Sequence, residues 1–171
     1  MAQQKPFISP SFSYETLEET LDIKPTGAQL LIGIPKEIAL QENRVALTPD
    51  AVGVLVSNGH QVVIEHNAGD MAHYRDKEYS EAGAKIVYEK AEVYKAPLLV
   101  KSAPIIEEDI PFLQPNQVII SPMHITLLKA ELLEKMMEKR ITAISFENLK
   151  DENGTFPIVR SMSEIAGSSV M

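Results

Sequence analysis

Five side chains able to do chemistry stand just after apolar, strand-like runs: Lys36, Arg44, Lys101, His124 and Glu147. Arginine offers a planar fork that suits a carboxylate, lysine a compact positive charge, and histidine a proton that is easily gained or lost. In open α/β sheets, ligands bind beyond the carboxyl ends of the strands, where side chains from different strands can meet. The set therefore predicts a site for a small anionic oxo acid.

Each of these residues also has an ordinary structural interpretation. Charged side chains are mostly exposed, so Arg44 fits equally a surface arginine or a salt bridge at a helix start. Lys36, Lys101 and Glu147 fit solvated positions at strand ends, and a single histidine such as His124 is often structural. Residue type and position leave both interpretations open.

The elements that would position these side chains are short strands. Six apolar runs, most of them rich in β-branched residues, have Gly, Pro or Asn near most of their ends, which is typical of buried strands. They are QLLIGI from Gln29, QVVIE from Gln61, KIVY from Lys85, PLLVK from Pro97, QVIIS from Gln117 and ITAISF from Ile141.

Helix-like segments lie between these runs. The segment from Thr48 to Gly59 opens with a Thr N-cap and a proline at the first helical position, and closes with Asn-Gly. The segment from Thr126 to Arg140 has apolar residues at helical spacing, and shorter helices are predicted over 76–83, 89–96 and 107–113. Alternating strands and helices predict an α/β fold with an open, doubly wound, mainly parallel sheet.

Composition narrows the classes of partner. The formal net charge is −8, which argues against nucleic acid as the natural partner. The sequence has no run of 18 consecutive apolar residues, so no membrane span is predicted. The chain has no cysteine, which excludes disulfides, zinc-thiolate sites and cysteine nucleophiles. These features predict a soluble, cytoplasmic protein.

The sequence also lacks several ligand-binding motifs. There is no G-x-G-x-x-G, Walker loop or H-E-x-x-H, and no histidines have ligand-like spacing. We therefore expect no metal site and no dinucleotide bound by this chain alone.

The domain organisation is predicted as three parts. Residues 1–27 are a polar extension on the surface, and residues 28–160 form the main domain. Residues 161–171 begin a helix, capped by Ser163, that breaks off in mid-pattern. We expect the chain to be a fragment of a longer protein.

Several blocks resemble a known family. IGIPKE from Ile32, ENRVALTP from Glu42, NGHQVVIEHNAG from Asn58 and FPIVRSMSEIAG from Phe156 are similar to the opening of the alanine dehydrogenase / pyridine nucleotide transhydrogenase family. The similarity runs from about Leu31 to Gly167, and ENRVALTP and MSEIAG are its specific blocks.

The resemblance implies a flavodoxin-like substrate domain, joined in a two-domain enzyme to a Rossmann domain that binds NAD. Alanine dehydrogenases interconvert L-alanine with pyruvate and ammonia, and form symmetric homo-oligomers. By match, Arg44 would bind the substrate carboxylate and His124 would act as acid or base. Met162 would line the pocket, and Ser163 would contact the cofactor. This chain alone is expected to be inactive.

The sequence departs from the family at the pocket lysine. Alanine dehydrogenases typically carry K-V-K-E-P at the fourth strand, where this chain has VKSAP from Val100. Aligning the prolines without a gap places Ser102 opposite the pocket lysine, whereas one inserted residue places Lys101 there and makes it a second catalytic residue beside His124. The family glutamate is absent in both alignments.

Three other functions compete with an alanine dehydrogenase. A transhydrogenase domain is favoured by the altered lysine strand and disfavoured by His124, since transhydrogenases typically lack that histidine. Saccharopine dehydrogenase is a related possibility whose match to FPIVRSMSEIAG is poorer. A non-catalytic domain that only binds or assembles is the alternative from a different class.

Overall fold

The computed structural model describes residues 28–39, 41–124 and 128–169. The predicted surface extension, residues 1–27, lies outside the described residues. The strands are β1 (Leu31–Ile34), β2 (Gln61–Glu65), β3 (Lys85–Val87), β4 (Leu98–Val100), β5 (Val118–Ser121) and β6 (Thr142–Ser145). The helices are α1 (Pro49–Ser57), α2 (Asp76–Glu81), α3 (Lys90–Val93), α4 (Ala130–Glu138) and α5 (Pro157–Ser169). Short 3₁₀ turns lie at Asp70–Ala72, Glu107–Asp109 and Phe146–Asn148.

The six strands form one sheet in the order β3-β2-β1-β4-β5-β6, and all neighbours are parallel. Ile32 in β1 pairs with Val62 on one side and Leu98 on the other. The predicted α/β class and parallel sheet are confirmed. Flavodoxin has the order 2-1-3-4-5, with one strand beyond β1, whereas here β2 and β3 both lie there. The flavodoxin comparison therefore holds for the kind of sheet and not for the strand order.

Residues alternate sides along each strand, so apolar strand residues reach both faces of the sheet. Helices cover both faces. One face carries Ile32 and Ile34, which belong to a core with Val52 of α1 and Tyr79 of α2. The other face carries the core formed with α3 and α4, in which Leu99 of β4 is fully buried. Helices α1 and α2, which follow β1 and β2, pack on the first face, whereas α3, the segment after β4 and α4 pack on the second. The direction of winding therefore reverses between β1 and β4.

Helix α1 begins where the sequence predicted. The Thr48 hydroxyl accepts a hydrogen bond from the Ala51 amide at 3.4 Å, and Pro49 occupies the first turn. Val52 is the residue that α1 buries most completely, at 0% exposure. The helix ends at Asn58 and Gly59, whose φ of +87° is a conformation that glycine adopts readily.

The last two helices differ from prediction. Helix α4 starts at Ala130. Its predicted start, Thr126, lies within residues 125–127, which are outside the described residues. The prediction that Ser163 caps a helix is wrong, because α5 starts at Pro157 and the Ser163 hydroxyl donates to the Val159 carbonyl within the helix. Helix α5 also crosses the predicted boundary at residue 160.

Within the described part of the chain, no helix is both long enough and apolar enough to cross a membrane.

Candidate functional site

The residues singled out in the sequence lie at one edge of the sheet. Because all strands are parallel, the segments after β1, β4, β5 and β6 leave from the same edge. These segments carry Arg44, Lys101, His124 and Glu147 respectively. Adjacent strands β1 and β4 belong to oppositely wound halves of the sheet, so this edge contains the topological switch point where α/β proteins bind ligands.

Arg44 lies in the segment between β1 and α1 and forms a two-point ion pair. Its Nε donates to Oε1 of Glu42 at 2.8 Å and its Nη2 donates to Oε2 at 2.6 Å. The Arg44 side chain remains 57% exposed, whereas that of Glu42 is 11% exposed. The hydrogen-bonded partner lowers the pKa of Glu42 and raises that of Arg44, in both cases against a smaller opposing effect of burial. Both groups are therefore charged at neutral pH.

The backbone at Arg44 is tied to the end of β4. The Ser102 hydroxyl donates to the Arg44 carbonyl at 3.1 Å. Ser102 is also held by Glu37, whose Oε1 accepts hydrogen bonds from the backbone amides of Ser102 at 2.7 Å and Ala103 at 3.1 Å. The segments that follow β1 and β4 are thus joined through two side chains, Glu37 and Ser102.

Lys101 is buried rather than open to a ligand. Its side chain is 2% exposed, and its Nζ lies 2.9 Å from Oδ2 of Asp109 and 3.2 Å from Oε2 of Glu37. The Glu37 contact is a salt bridge without hydrogen-bond geometry, since Oε2 has no hydrogen-bond partner among the described residues. Lys101 is therefore an ion-paired lysine between two carboxylates.

Asp109 is the centre of this buried cluster. Its Oδ1 accepts from Lys90 Nζ at 2.8 Å and from the Tyr94 hydroxyl at 2.7 Å, while its Oδ2 accepts from Lys101. Burial opposes the charge on Asp109, but Lys101, Lys90 and Tyr94 more than offset it and hold the pKa of Asp109 below its ordinary value. Two lysines and two carboxylates balance one another, so the cluster offers little net charge to a ligand.

His124 forms a second, more open pair. Its Nδ1 lies 3.0 Å from Oε1 of Glu147, and the two side chains are 49% and 29% exposed. The contact does not have hydrogen-bond geometry, and Nδ1 is the ring nitrogen that faces the carboxylate. The backbone of His124 has φ of +39°, an uncommon conformation for a residue with a side chain.

The other predicted residues are not joined to these pairs. The backbone amide of Lys36 donates to Glu65 at 2.9 Å. Met162 and Ser163 lie on α5, where Met162 is 40% exposed. Within the described ranges, no hydrogen bond or salt bridge links either residue to Arg44, Lys101 or His124.

A groove of about 450 Å³ opens beside His124. It is mainly apolar and does not reach Arg44 or Lys101. Its lining is Pro104, Ile105, Ile106, Glu107, Glu108, Met123, His124, Leu128, Lys129 and Leu132.

The described residues do not form a cradle for a dinucleotide phosphate. The strand order is that of dinucleotide-binding domains, yet the segment from residue 35 to residue 48 contains no glycine. At the start of α1, the Ala51 amide already donates its hydrogen bond to the Thr48 hydroxyl oxygen, and Asp50 adds negative charge. Both features oppose an anion at this helix terminus. These residues do not fit NAD as its main binding site.

Sequence reasoning predicted Glu147 but missed the other three carboxylates of the site. Glu37, Glu42 and Asp109 each contact a cation that was predicted, but none was predicted itself. Glu37 and Glu42 lie within the quoted blocks IGIPKE and ENRVALTP, so those motifs carried a usable signal. Asp109 carried no such signal, because its contact with Lys101 forms only when the 3₁₀ turn Glu107–Asp109 is folded.

Comparison with known proteins identifies the family. A family model described as alanine dehydrogenase/PNT, N-terminal domain, matches residues 33–166. The chain belongs to the alanine dehydrogenase/PNT family. This confirms the resemblance drawn from ENRVALTP and MSEIAG.

Relatives within the family favour its alanine dehydrogenase branch. The chain is 36% identical over 138 residues to an alanine dehydrogenase of Staphylococcus saprophyticus, covering 81% of this chain and 37% of that protein. A solved L-alanine dehydrogenase superposes with a TM-score of 0.77 at 36% identity, over 81% of this chain and 38% of the other. A transhydrogenase from Sinorhizobium meliloti superposes with a TM-score of 0.63 at 28% identity, over 68% of this chain and 35% of the other. The chain thus spans well under half the length of the relatives it matches.

Proposed function

We propose that this chain is the substrate-binding domain of an NAD-dependent alanine dehydrogenase, which interconverts L-alanine with pyruvate and ammonia. The observation that carries the proposal is Arg44, an exposed guanidinium at the switch point of the sheet, in a chain 36% identical to an alanine dehydrogenase. An arginine fork suits the carboxylate that alanine and pyruvate share. Arg44 is accordingly assigned to bind that carboxylate.

His124 is assigned as the acid or base of the reaction. Because Nδ1 faces Glu147, Nε2 is assigned to accept a proton from the substrate or to return it. The half-exposed ring can meet a ligand at the edge of the sheet. Glu147 would stabilise the ring when it becomes charged, as a carboxylate paired with an imidazolium does.

Lys101 receives a positioning role in this proposal in place of direct contact with substrate. Its Nζ is occupied by Asp109 and Glu37 and its side chain is buried. Through Glu37 and Ser102 it supports the backbone that carries Arg44. The catalytic role first predicted for Lys101 therefore passes to His124 alone among the described residues.

NAD is proposed to be bound mainly by another part of the full-length protein. The start of α1 and the glycine-free segment before it oppose a phosphate. The relatives are more than twice as long as this chain, which leaves room for a second domain. Met162 and Ser163, on the exposed helix α5, are proposed to face the pocket and the cofactor in that longer protein. Homo-oligomer formation and a cytoplasmic location belong to the same proposal.

A transhydrogenase domain is the second candidate. The VKSAP sequence at β4, which lacks the K-V-K-E-P pattern of alanine dehydrogenases, favours it. The His124–Glu147 pair favours the dehydrogenase, because hydride exchange between two nucleotides needs no such acid or base.

The test is a spectrophotometric assay of the full-length protein. We expect turnover with L-alanine and NAD, and in the reverse direction with pyruvate, ammonium and NADH. Hydride exchange between NADH and an NADP analogue, without reaction of alanine, would identify a transhydrogenase. The absence of both activities would indicate a non-catalytic domain. Turnover of other amino acids, without turnover of alanine, would revise the substrate.

A further inference from the structure

The two-point contact between Glu42 and Arg44 determines which edge of the guanidinium a ligand can reach. A guanidinium presents two edges that match a carboxylate, one through Nε and Nη2 and one through Nη1 and Nη2. Glu42 occupies the first edge, with both of its oxygens at hydrogen-bond distance. No described residue accepts a hydrogen bond from Nη1, which leaves the second edge open.

The Glu42 carboxylate is itself held in place. Oε1 accepts from the backbone amide of Arg44 at 2.9 Å as well as from the side-chain Nε. The Glu42 amide donates to the Ala39 carbonyl at 3.1 Å, which closes a turn ahead of Arg44. The carboxylate is largely shielded while the guanidinium beside it is mostly exposed. Glu42 therefore lies on the protein side of the pair, and Arg44 faces outward.

The backbone of Arg44 has a second anchor besides Glu42. Its carbonyl accepts from the Ser102 hydroxyl at the end of β4. The position of the Arg44 backbone is thus set by both Ser102 and Glu42, and the direction of its side chain by Glu42. A flexible arginine would otherwise lose considerable rotamer entropy when a ligand bound.

We propose that Glu42 is a positioning residue for substrate binding, holding Arg44 so that its Nη1–Nη2 edge receives the carboxylate of a small oxo or amino acid. This inference rests on the proposed function and adds a residue to it. An alternative role for Glu42, that of a competing negative charge, predicts the opposite effect on affinity when the charge is removed.

The experiment is steady-state kinetics of the full-length enzyme with pyruvate as varied substrate. Glu42→Gln keeps the size of the side chain but can no longer accept from both Nε and Nη2. We expect KM for pyruvate to rise about tenfold through misdirection of Arg44, while kcat and KM for NADH change less than about twofold. Glu42→Asp, which keeps the charge, should recover part of the loss. An unchanged or lowered KM in Glu42→Gln would overturn the inference.

A double-mutant cycle separates positioning from general disturbance of the loop. If Glu42 acts through Arg44, adding Glu42→Gln to Arg44→Ala should leave KM the same as in Arg44→Ala alone. Equal fold-changes in both backgrounds would contradict the inference. The matched control is Glu81→Gln, which removes an exposed Glu–Lys pair on α2 and should leave KM unchanged.

The cycle also distinguishes this inference from the proposed function. If Arg44→Ala leaves KM for pyruvate unchanged, the assignment of Arg44 itself fails. If Arg44→Ala raises KM and Glu42→Gln does not, only the positioning role of Glu42 fails. Thermal unfolding of each variant, compared with wild type, shows whether a change in KM reflects loss of the fold.

Discussion

At the scale of single residues, the charged groups of the site divide into two kinds. The side chains of Arg44 and His124 are about half exposed, and each is paired with one carboxylate. Lys101 is buried between Glu37 and Asp109. Burial decides the roles, because only the exposed groups can reach a ligand, while a buried pair must stay satisfied to avoid a large desolvation cost.

Replacing His124 tests its assignment as acid or base. In the full-length enzyme, His124→Ala should lower kcat about 10²–10⁴-fold because proton transfer is lost. KM for pyruvate should change much less, since Arg44 remains. Glu147→Gln serves as a milder companion, because the ring stays present without its carboxylate. A loss in kcat below about tenfold for His124→Ala would remove the histidine from the mechanism.

Asp109 tests the stabilising role of the buried cluster. Asp109→Ala would leave Lys90 and the Tyr94 hydroxyl without their acceptor and deprive Lys101 of one of its two carboxylates. The expected loss in free energy of unfolding is about 3 kcal/mol or more, measured by urea denaturation of this chain. Glu107→Gln, which breaks an exposed pair with Lys129 in the same turn, is the control and should have little effect. Equal stability of the Asp109 variant and wild type would show that the cluster contributes nothing.

The same residue gives a pH dependence with a defined sign. The pKa of Asp109 is lowered in the folded protein, so the unfolded chain takes up a proton first as the pH falls below about 4. Its contribution to stability is therefore complete at neutral pH and is lost as the pH falls through the folded-state pKa. The acid-induced loss of stability should be smaller in Asp109→Asn than in wild type.

At the scale of elements, the strands and the site differ in how far sequence could predict them. All six strands were found near their predicted runs, because buried parallel strands are short and apolar and leave a local pattern. The start of α5 was missed because Ser163 resembled an N-cap, although Pro157 is a residue favoured in the first turn. The Lys101 cluster could not be predicted, since Glu37 and Lys101 are far apart in the sequence and meet only across strands β1 and β4.

Close packing between β1 and α3 explains a glycine in the central strand. A Cβ at Gly33 would lie 2.7 Å from the Val93 carbonyl oxygen and 2.9 Å from the Ala96 Cβ. Gly33→Ala should destabilise the chain by about 1–3 kcal/mol through overpacking, measured by urea denaturation. Gly53→Ala in α1 is the matched control, since its nearest neighbour is 4.0 Å away. That substitution should stabilise the helix by about 0.5–1 kcal/mol, and the opposite ranking of the two variants would contradict this view of the packing.

At the scale of the whole molecule, the described residues form the sheet of a dinucleotide-binding domain, but the segment before α1 and the start of that helix oppose a phosphate. We predict that isothermal titration of NAD into this chain gives no measurable heat of binding, and that the chain alone shows no dehydrogenase activity. The reason is the glycine-free segment before α1 and the acidic start of that helix. Tight binding of one NAD per chain would overturn the assignment of the cofactor to another domain.

Binding of the substrate carboxylate by Arg44 is the step of the proposed function on which the other assignments depend. The most direct measurement is KM for pyruvate in the full-length enzyme carrying Arg44→Ala, with wild type and Glu81→Gln as references. Loss of the paired charge should raise KM by about tenfold or more, since hydrogen bonds to charged groups contribute about 1.5–3 kcal/mol. A KM for pyruvate equal to that of wild type would contradict the claim.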